Sequence, residues 1–401
     1  MIKKGIICIF LAAVLVLPVF AEKTAMPGLD MPTAASNGFG GTHVAYTDNV
    51  FALLVNPAAI MQVQQRSFFT LAPVLFSPQT VFGITKPMAS LAKGDTGALG
   101  EMADTLSKQK GKIALGMELR EFPFSIAWVA NGFGFGIWNR VFINANIVGT
   151  NLEAHVYSDF FIPIGFAFKI LNLNRHSIDV GFSLKPFARA RAWESEKITS
   201  LLDDADGFID RINIPLIAGG GIDAGLIYRW GNWFRFGFTF DDIYTRGKVV
   251  YNITGNDKNK YYVPFTMNAG LAFDFKVLVF RFSLAADWRN IANIFKQDDY
   301  MRRNTLLDLG AGFQFSVFDM IKLRIGMNEM LPACGIGFDF GPVEIDMAYY
   351  GKEFGNEPGQ LSAAVVEFSL AIRPGAKKRD FPWTRRSLIG LFTGVEKVSS
   401  E

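Results

Sequence analysis

The sequence predicts an all-β fold, a transmembrane antiparallel β-barrel of about 14 strands. Half of the 401 residues are apolar and only 19% are charged, an unusual balance for a soluble protein of this length. After the first 21 residues, no stretch approaches the ~18 uninterrupted apolar residues of a transmembrane helix. Many segments instead alternate apolar and polar residues, as strands do. Because a bilayer demands internal backbone hydrogen bonding, a closed barrel is the spanning structure that remains.

The first 21 residues have the features of a secretory signal peptide. Lys3 and Lys4 precede an apolar core at residues 6–16, Pro18 ends that core, and residues 19–21 form a Val-Phe-Ala cleavage site. An inner-membrane anchor is the alternative reading. Export is therefore the first functional inference.

Residues 152–170 illustrate the strand pattern. One face carries Val156, Phe160, Ile162, Ile164, Phe166 and Phe168. The other carries Glu153, His155, Tyr157, Asp159, Gly165 and Lys169. A Lys or Arg facing mid-bilayer lipid costs roughly 2–4 kcal/mol, so we expect the charged face to line a wet lumen. A soluble β-sandwich, with Phe inside and charge outside, is the alternative.

Similar alternation predicts fourteen strands, with short and long connections between them. The segments are 67–85, 114–130, 133–148, 152–170, 177–193, 214–230, 233–243, 261–275, 278–289, 305–318, 320–328, 333–340, 343–351 and 360–373. Short turns such as Asn131-Gly132 are expected on the periplasmic side. The long outer loops are 86–113, 194–213, 244–260, 290–304 and 352–359. Pro73 and Pro78 would have to lie at bulges in the first strand.

Parts of the outer loops and the C-terminus carry separate predictions. Met88–Lys110 and Glu194–Ile212 have Leu and Ala at helical spacing, which predicts helices that form an apolar collar for capturing a ligand. Ordinary loop structure is the alternative. Residues 374–401 form a basic periplasmic tail that either lies on a membrane surface or is loose. The barrel itself is predicted at 67–373.

Residues 22–66 precede the barrel and are too apolar for a simple tail. They contain Gly38-Phe39-Gly40-Gly41 and then the run from Thr47 to Ile60, which includes Asn56-Pro57-Ala58. This arrangement resembles the hatch, or luminal plug, of the FadL family of outer-membrane long-chain fatty acid transporters. Pro57 lacks an amide donor and restrains Asn56 to extended geometry, as a kinked plug requires. Alternatively, the Asn-Pro pair simply ends a helix.

A second resemblance lies at residues 187–191, Phe-Ala-Arg-Ala-Arg. It is similar to a stretch near the fatty-acid site of the FadL family, and the resemblance implies ligand binding here. Strand parity places Lys185, Phe187, Arg189, Arg191 and Trp193 on one luminal face, and Arg140 on the third strand completes the predicted ligand-binding set. Arginines pair with carboxylates in bidentate fashion. Alternatively, the cations neutralise luminal Asp223, Asp241 or Glu153, or contact lipopolysaccharide.

The third predicted strand opens with Gly132, Gly134 and Gly136. In the FadL family an inward kink of the third strand makes a lateral hole to the membrane, so the resemblance implies such a hole here. Glycines alone are equally compatible with an ordinary barrel turn.

These observations predict passive outer-membrane transport of hydrophobic molecules such as long-chain fatty acids. The expected partners are a hydrophobic ligand and outer-membrane lipid. A net charge of +3 argues against nucleic acid. The alternatives are a hydrophilic porin, or a secretion shuttle or surface antigen that binds a protein through its outer loops or tail.

No enzyme, cofactor or metal site is predicted. Cys8 lies in the signal peptide, so Cys334 is the single remaining thiol. The three histidines, His43, His155 and His176, have no metal-ligand spacing, and no nucleophile or phosphate-loop motif occurs. His155 with Asp159 is the one conceivable catalytic pair.

Overall fold

A computed structural model of the chain describes residues 25–91, 97, 112–121, 123–149, 151–197, 212–295 and 303–377. The predicted signal peptide, most of the two predicted loop helices and most of the C-terminal tail lie outside the described residues. Within those ranges, no helix has the length and apolar character needed to cross a bilayer.

Eighteen strand segments form one antiparallel sheet. They are β1 (Gln65–Phe76), β2 (Lys112–Arg120), β3 (Ser125–Ala130), β4 (Phe133–Val148), β5 (Asn151–Phe161), β6 (Ile164–Leu173), β7 (His176–Lys197), β8 (Ile214–Trp230), β9 (Phe234–Asp241), β10 (Thr245–Thr254), β11 (Lys260–Val263), β12 (Thr266–Val277), β13 (Phe280–Trp288), β14 (Leu309–Val317), β15 (Ile321–Asn328), β16 (Leu331–Asp339), β17 (Val343–Glu353) and β18 (Ser362–Ile372).

The sheet closes into a barrel of 14 strands, which confirms the predicted fold class. Four pairs of consecutive segments, β2–β3, β5–β6, β9–β10 and β11–β12, each continue one barrel strand across a break. β1 pairs with β18 on one side and with β2 and β3 on the other, so the wall has no free edge.

Short helices complete the fold. Among the described residues, the α-helices are α1 (Ala34–Gly38), α2 (Ala52–Val55) and α3 (Pro78–Leu91), and 3₁₀ helices span Pro57–Met61, Ile291–Phe295 and Thr305–Asp308. A capping box between Thr33 and Ser36 starts α1.

Burial follows the predicted alternation. Phe166 and Phe182 are 43% and 46% exposed on the outside of the barrel, whereas Asp159 and Arg189 are buried inside it. The outer surface is thus apolar and the ionic residues face the lumen, which is the opposite of a soluble sandwich and typical of a transmembrane barrel.

The first strand was predicted too long. β1 ends at Phe76, and Ser77 turns the chain with a φ of 48° before Pro78 opens α3. Proline suits the first turn of a helix because it lacks the amide hydrogen that this position leaves unbonded. Pro73 lies in register with Leu119 and not at a bulge.

Two predicted loops are also shorter than expected. The barrel strand that begins with β9 bends at Asp242 and continues through β10, so the predicted loop 244–260 shrinks to residues 255–259. Glu194–Lys197 belong to β7 and are not helical. The predicted helix at 88–110 is helical over Met88–Leu91, the end of α3.

Residues 25–64 run through the lumen against wall glycines. A Cβ on Gly181 would lie 2.3 Å from the backbone carbon and oxygen of Pro57, and one on Gly312 would lie 2.2 Å from the carbonyl oxygen of Phe39. We call these wall positions the glycine girdle; its other members are Gly225, Gly237, Gly310, Gly326 and Gly335, which contact residues 38–58. The backbone of the segment can approach the wall closely because these positions lack side chains.

We predict that Gly181→Ala weakens this contact, whereas Gly220→Ala does not. The added methyl at position 181 meets backbone atoms, so we expect a loss of about 1–3 kcal/mol in the free energy of unfolding. A Cβ at Gly220 in β8 would have no neighbour within 4 Å, which makes it the matched control. Urea unfolding in lipid vesicles checks the prediction, and equal unfolding midpoints for the two variants would contradict it.

Candidate functional site

The predicted ligand-binding row on β7 faces the lumen. Lys185, Phe187 and Arg189 are buried, Arg191 is half-buried and Trp193 is 39% exposed toward the outer loops. β4 brings Arg140 to the same side of the barrel, where it is also buried. All six side chains therefore line one part of the lumen wall, although they have different partners.

Arg140 and Arg189 share one carboxylate. Nη2 of Arg140 lies 2.5 Å from Oδ2 of Asp159, and Nη2 of Arg189 donates to the same oxygen at 2.8 Å. The Tyr157 ring lies about 5 Å from both guanidinium carbons, at 5.1 and 5.0 Å. The Glu118 carboxylate also lies 3.9 Å from Arg140, but the remaining N–H groups of the two guanidinium groups need further acceptors.

Those acceptors are backbone carbonyl groups of residues 25–30. We call this segment the N-terminal strap. Arg191 Nη1 donates to the Ala25 oxygen at 3.0 Å, and Arg189 Nη1 donates to the Pro27 oxygen at 2.8 Å. Arg140 Nη2 donates to the Gly28 oxygen at 2.9 Å. The strap therefore presents a line of oxygens to three guanidinium groups. No carboxylate of the described residues pairs with Arg191.

Lys185 belongs to a separate cluster. It forms an ion pair with Asp223, and the backbone amide of Asp242 donates to the other oxygen of that carboxylate at 2.8 Å. Thr245 in turn donates to Asp242 at 2.7 Å. For Lys185, the geometry matches the alternative reading in which a luminal cation neutralises a luminal acid.

A packed apolar cluster adjoins the arginines. Phe187 packs in one cluster with Ile217, Tyr261 and Val263 of the wall, and Met26 of the strap belongs to the same cluster. Trp193 stands apart at the outer rim, where its Nε1 donates to Glu153 at 3.1 Å and its ring stacks on His155. The strap thus fills a site that is apolar on one side and cationic on the other.

The predicted hatch residues lie inside the barrel, against the wall glycines Gly181 and Gly225. Asn56 is fully buried and extended, its Nδ2 donates to the Val44 oxygen at 2.7 Å, and its Oδ1 accepts from the Ala58 amide at 3.1 Å. Asn56 follows α2 and caps the 3₁₀ helix that Pro57 begins, so the motif both ends one helix and opens another. Their role as a hatch stays a prediction.

A polar cavity of about 460 Å³ lies at the short-turn end, and sequence reasoning did not single it out. The luminal segment contributes Tyr46 and Asp48, and the wall contributes Lys322, Glu344 and Arg373. Lys322 and Arg373 approach Glu344 at 2.9 and 3.1 Å. Burial, reinforced by the nearby negative charges of Asp274 and Asp48, raises the pKa of Tyr46, so this phenol stays protonated.

Two glycines at the start of the third barrel strand have local roles. Gly132 adopts a φ of 79° in the β3–β4 turn, and Gly136 makes room for the Trp138 ring, whose Cζ3 a Cβ would meet at 2.1 Å. Where β2 and β3 are interrupted, the Glu121 amide donates to the Asn139 oxygen at 2.9 Å. The lateral hole stays a prediction.

The conceivable catalytic pair does not form. His155 lies 3.2 Å from Glu153, whereas the Asp159 carboxylate is engaged by the two arginines. Among the described residues, no group of three or more His, Cys, Asp or Glu side chains is arranged to hold a metal ion.

No protein-family model and no curated protein matches the chain. Several solved structures are similar at low identity. The CymD monoaromatic hydrocarbon channel is 14% identical with a TM-score of 0.46, covering 89% of this chain and 100% of its own. The toluene transporter TodX of P. putida is 12% identical with a TM-score of 0.48, covering 88% and 100%. A FadL homologue of Pseudomonas aeruginosa is 10% identical with a TM-score of 0.44, covering 86% and 99%. The barrel follows from this chain's own strand pairing, independently of these similarities.

We predict that Asp159→Asn strongly destabilises the barrel. The substitution leaves Arg140 and Arg189 buried without their shared counter-charge, which typically costs about 3–5 kcal/mol. Asp48→Asn in the exposed part of the luminal segment is the control. Urea unfolding in vesicles measures both, and an Asp159→Asn barrel as stable as the control would show that the strap carbonyls alone suffice.

Proposed function

We propose that this protein lets hydrophobic small molecules, such as long-chain fatty acids, pass through the bacterial outer membrane without an energy source. The observation that carries the proposal is the strap site, where three arginines donate to carbonyl oxygens of the strap next to the apolar cluster that Met26 of the strap fills. An amphipathic molecule has the same division into an oxygen-rich head and an apolar body.

The proposed ligand takes the place of the strap. A carboxylate would accept the hydrogen bonds that Arg140, Arg189 and Arg191 now give to carbonyls, and charged acceptors form stronger bonds than neutral ones. The acyl chain would lie against Phe187, while Trp193 at the rim would make the first aromatic contact. Lys185, held by Asp223, would position the adjacent wall.

The hatch residues would block an open aqueous route. Asn56, Pro57 and Ala58 contact the glycine girdle at Gly181 and Gly225, so the luminal backbone occupies this level of the barrel. A hydrophilic porin needs an open pore, so a luminal segment held in this way favours hydrophobic cargo. The solved barrels to which the chain is similar are described as hydrocarbon channels and a toluene transporter, which agrees in kind with this proposal.

We predict that Arg191→Gln lowers palmitate binding and uptake about tenfold, because a hydrogen bond to a charged group contributes about 1.5–3 kcal/mol. Arg191 is the informative position since no carboxylate pairs with it in the described part of the chain, so the fold should tolerate the change. Arg246→Gln is the control, because this exposed arginine lies over Tyr244 on the outer face of the barrel, whereas the next residue, Gly247, faces Phe187 in the lumen. Uptake of labelled palmitate that is equal in both variants would argue against the proposed site.

We also predict that the purified protein shows little ion conductance in planar bilayers, because residues 25–64 run through the lumen and obstruct it. Deletion of residues 38–60 should raise the conductance to that of an open pore. A large, steady conductance of the intact chain would instead favour the hydrophilic porin.

A further inference from the structure

A second cavity lies at the short-turn end of the barrel, away from the strap site. It has a volume of about 510 Å³ and lies between the β6–β7 and β8–β9 turns. Its lining consists of Gln62, Lys169, Asn172, Asn174, Arg175, His176, Ser177, Arg229, Gly231, Asn232 and Trp233. None of these is acidic, whereas three are cationic and several others are hydrogen-bond donors.

The positive charge of this cavity is poorly compensated. Asp179, buried beside it, is engaged by Arg229 and by the Gln62 amide at 3.2 Å. Arg229 is itself more than nine-tenths buried, and its Nη1 lacks a hydrogen-bond partner within the described structure. Lys169 and Arg175 are exposed and have no ion-pair partner among the described side chains. Such a set of donors is suited to a phosphate group.

The cavity continues into an aromatic surface on the outside of the barrel. His176 stacks on Trp230 with ring centroids 6.0 Å apart, and Trp233 lies 4.8 Å from Trp230. Trp230 is 42% exposed, and Phe275 beside Trp233 is 46% exposed. Tryptophans concentrate at the level of lipid head groups, so the cavity lies at the edge of the bilayer.

We propose that this cavity binds the phosphate of an anionic phospholipid, whose acyl chains lie over Trp230, Trp233 and Phe275. Two features favour a lipid over a soluble phosphate ester. The cavity opens beside a lipid-facing aromatic surface, and His176 and Trp233 line the cavity and also form part of that surface. The proposal rests on the membrane location in the proposed function, but not on the transported cargo.

Lipid retention by the full-length protein in detergent tests the proposal. Native mass spectrometry would count bound phosphatidylglycerol and phosphatidylcholine, added in equal amounts, for the wild type and for the Lys169→Gln/Arg175→Gln double variant. Both substituted residues are exposed, so folding should be unaffected, and heat-dependent gel migration checks this. We expect the wild type to prefer phosphatidylglycerol and the double variant to bind it more weakly, by about fivefold for each cation removed.

Lys276→Gln is the matched control, because Lys276 lies at the same end of the barrel, pairs with Asp319 and is outside the cavity. Equal losses in the control and the double variant, or no preference for phosphatidylglycerol, would overturn the site.

Competition with inorganic phosphate and glycerol phosphate distinguishes a lipid head group from a soluble phosphate as the ligand. If millimolar amounts of either displace all the lipid, the lipid assignment is overturned and a soluble phosphate ester replaces it. Palmitate uptake by the same variants should stay unchanged, so a failure of the transport proposal would be seen separately.

Discussion

The close approach of a luminal backbone to a closed wall is the constraint on which the rest of the structure depends. A barrel of 14 strands encloses more space than its own inward side chains fill. Residues 25–64 fill part of it, and they reach the wall where glycines such as Gly181 and Gly312 leave room for their backbone. Some of these glycines face each other across neighbouring strands, as Gly181 does with Gly225 and Gly312 with Gly326. The girdle thus runs around the barrel and not along one strand.

Charge is arranged around the same segment. Buried cations of the wall find two kinds of acceptor: carboxylates of the wall and carbonyls of the strap. Lys185 has the first kind, Arg191 has the second, and Arg189 has both. Because a buried guanidinium without acceptors is costly, the strap contributes to the stability of the wall as well as to its closure. A ligand that removes the strap has to supply equivalent oxygens.

The sequence predicted the barrel well, because each strand repeats the same alternation between apolar side chains that face lipid and polar side chains that face the lumen. Phe166 and Asp159 differ in burial as their parity requires. The errors arise where local patterns compete. The apolar run around Pro78 resembles a strand, although Ser77 followed by Pro78 is also a helix start. Beyond Asp242 the alternation is broken by register shifts, so a continuing strand was read as a loop.

The candidate site was only half predictable for a similar reason. Strand parity placed alternate residues from Lys185 to Trp193 on one face. Parity does not predict which hydrogen-bond acceptor each cation contacts. The strap carbonyls have no signature in the sequence, because every residue has a carbonyl group. The basic cavity near Arg175 depends on two turns that are adjacent in space and about 55 residues apart in the chain, a separation typical of sheet contacts.

The two kinds of contact made by the luminal segment have different consequences for movement. The girdle contacts join backbone to backbone on several strands at once, and shifting residues 38–58 would break them together. The strap, in contrast, is held by hydrogen bonds from three arginine side chains to separate carbonyls, by one backbone hydrogen bond to Tyr262, and by the burial of Met26 and Leu29. An incoming oxygen-rich head group can replace the arginine hydrogen bonds, but only an apolar body can replace the contacts of Met26 and Leu29. Displacing the strap while the girdle-bound residues stay in place therefore calls for an amphipathic molecule, whose two parts match the two kinds of contact that the strap makes.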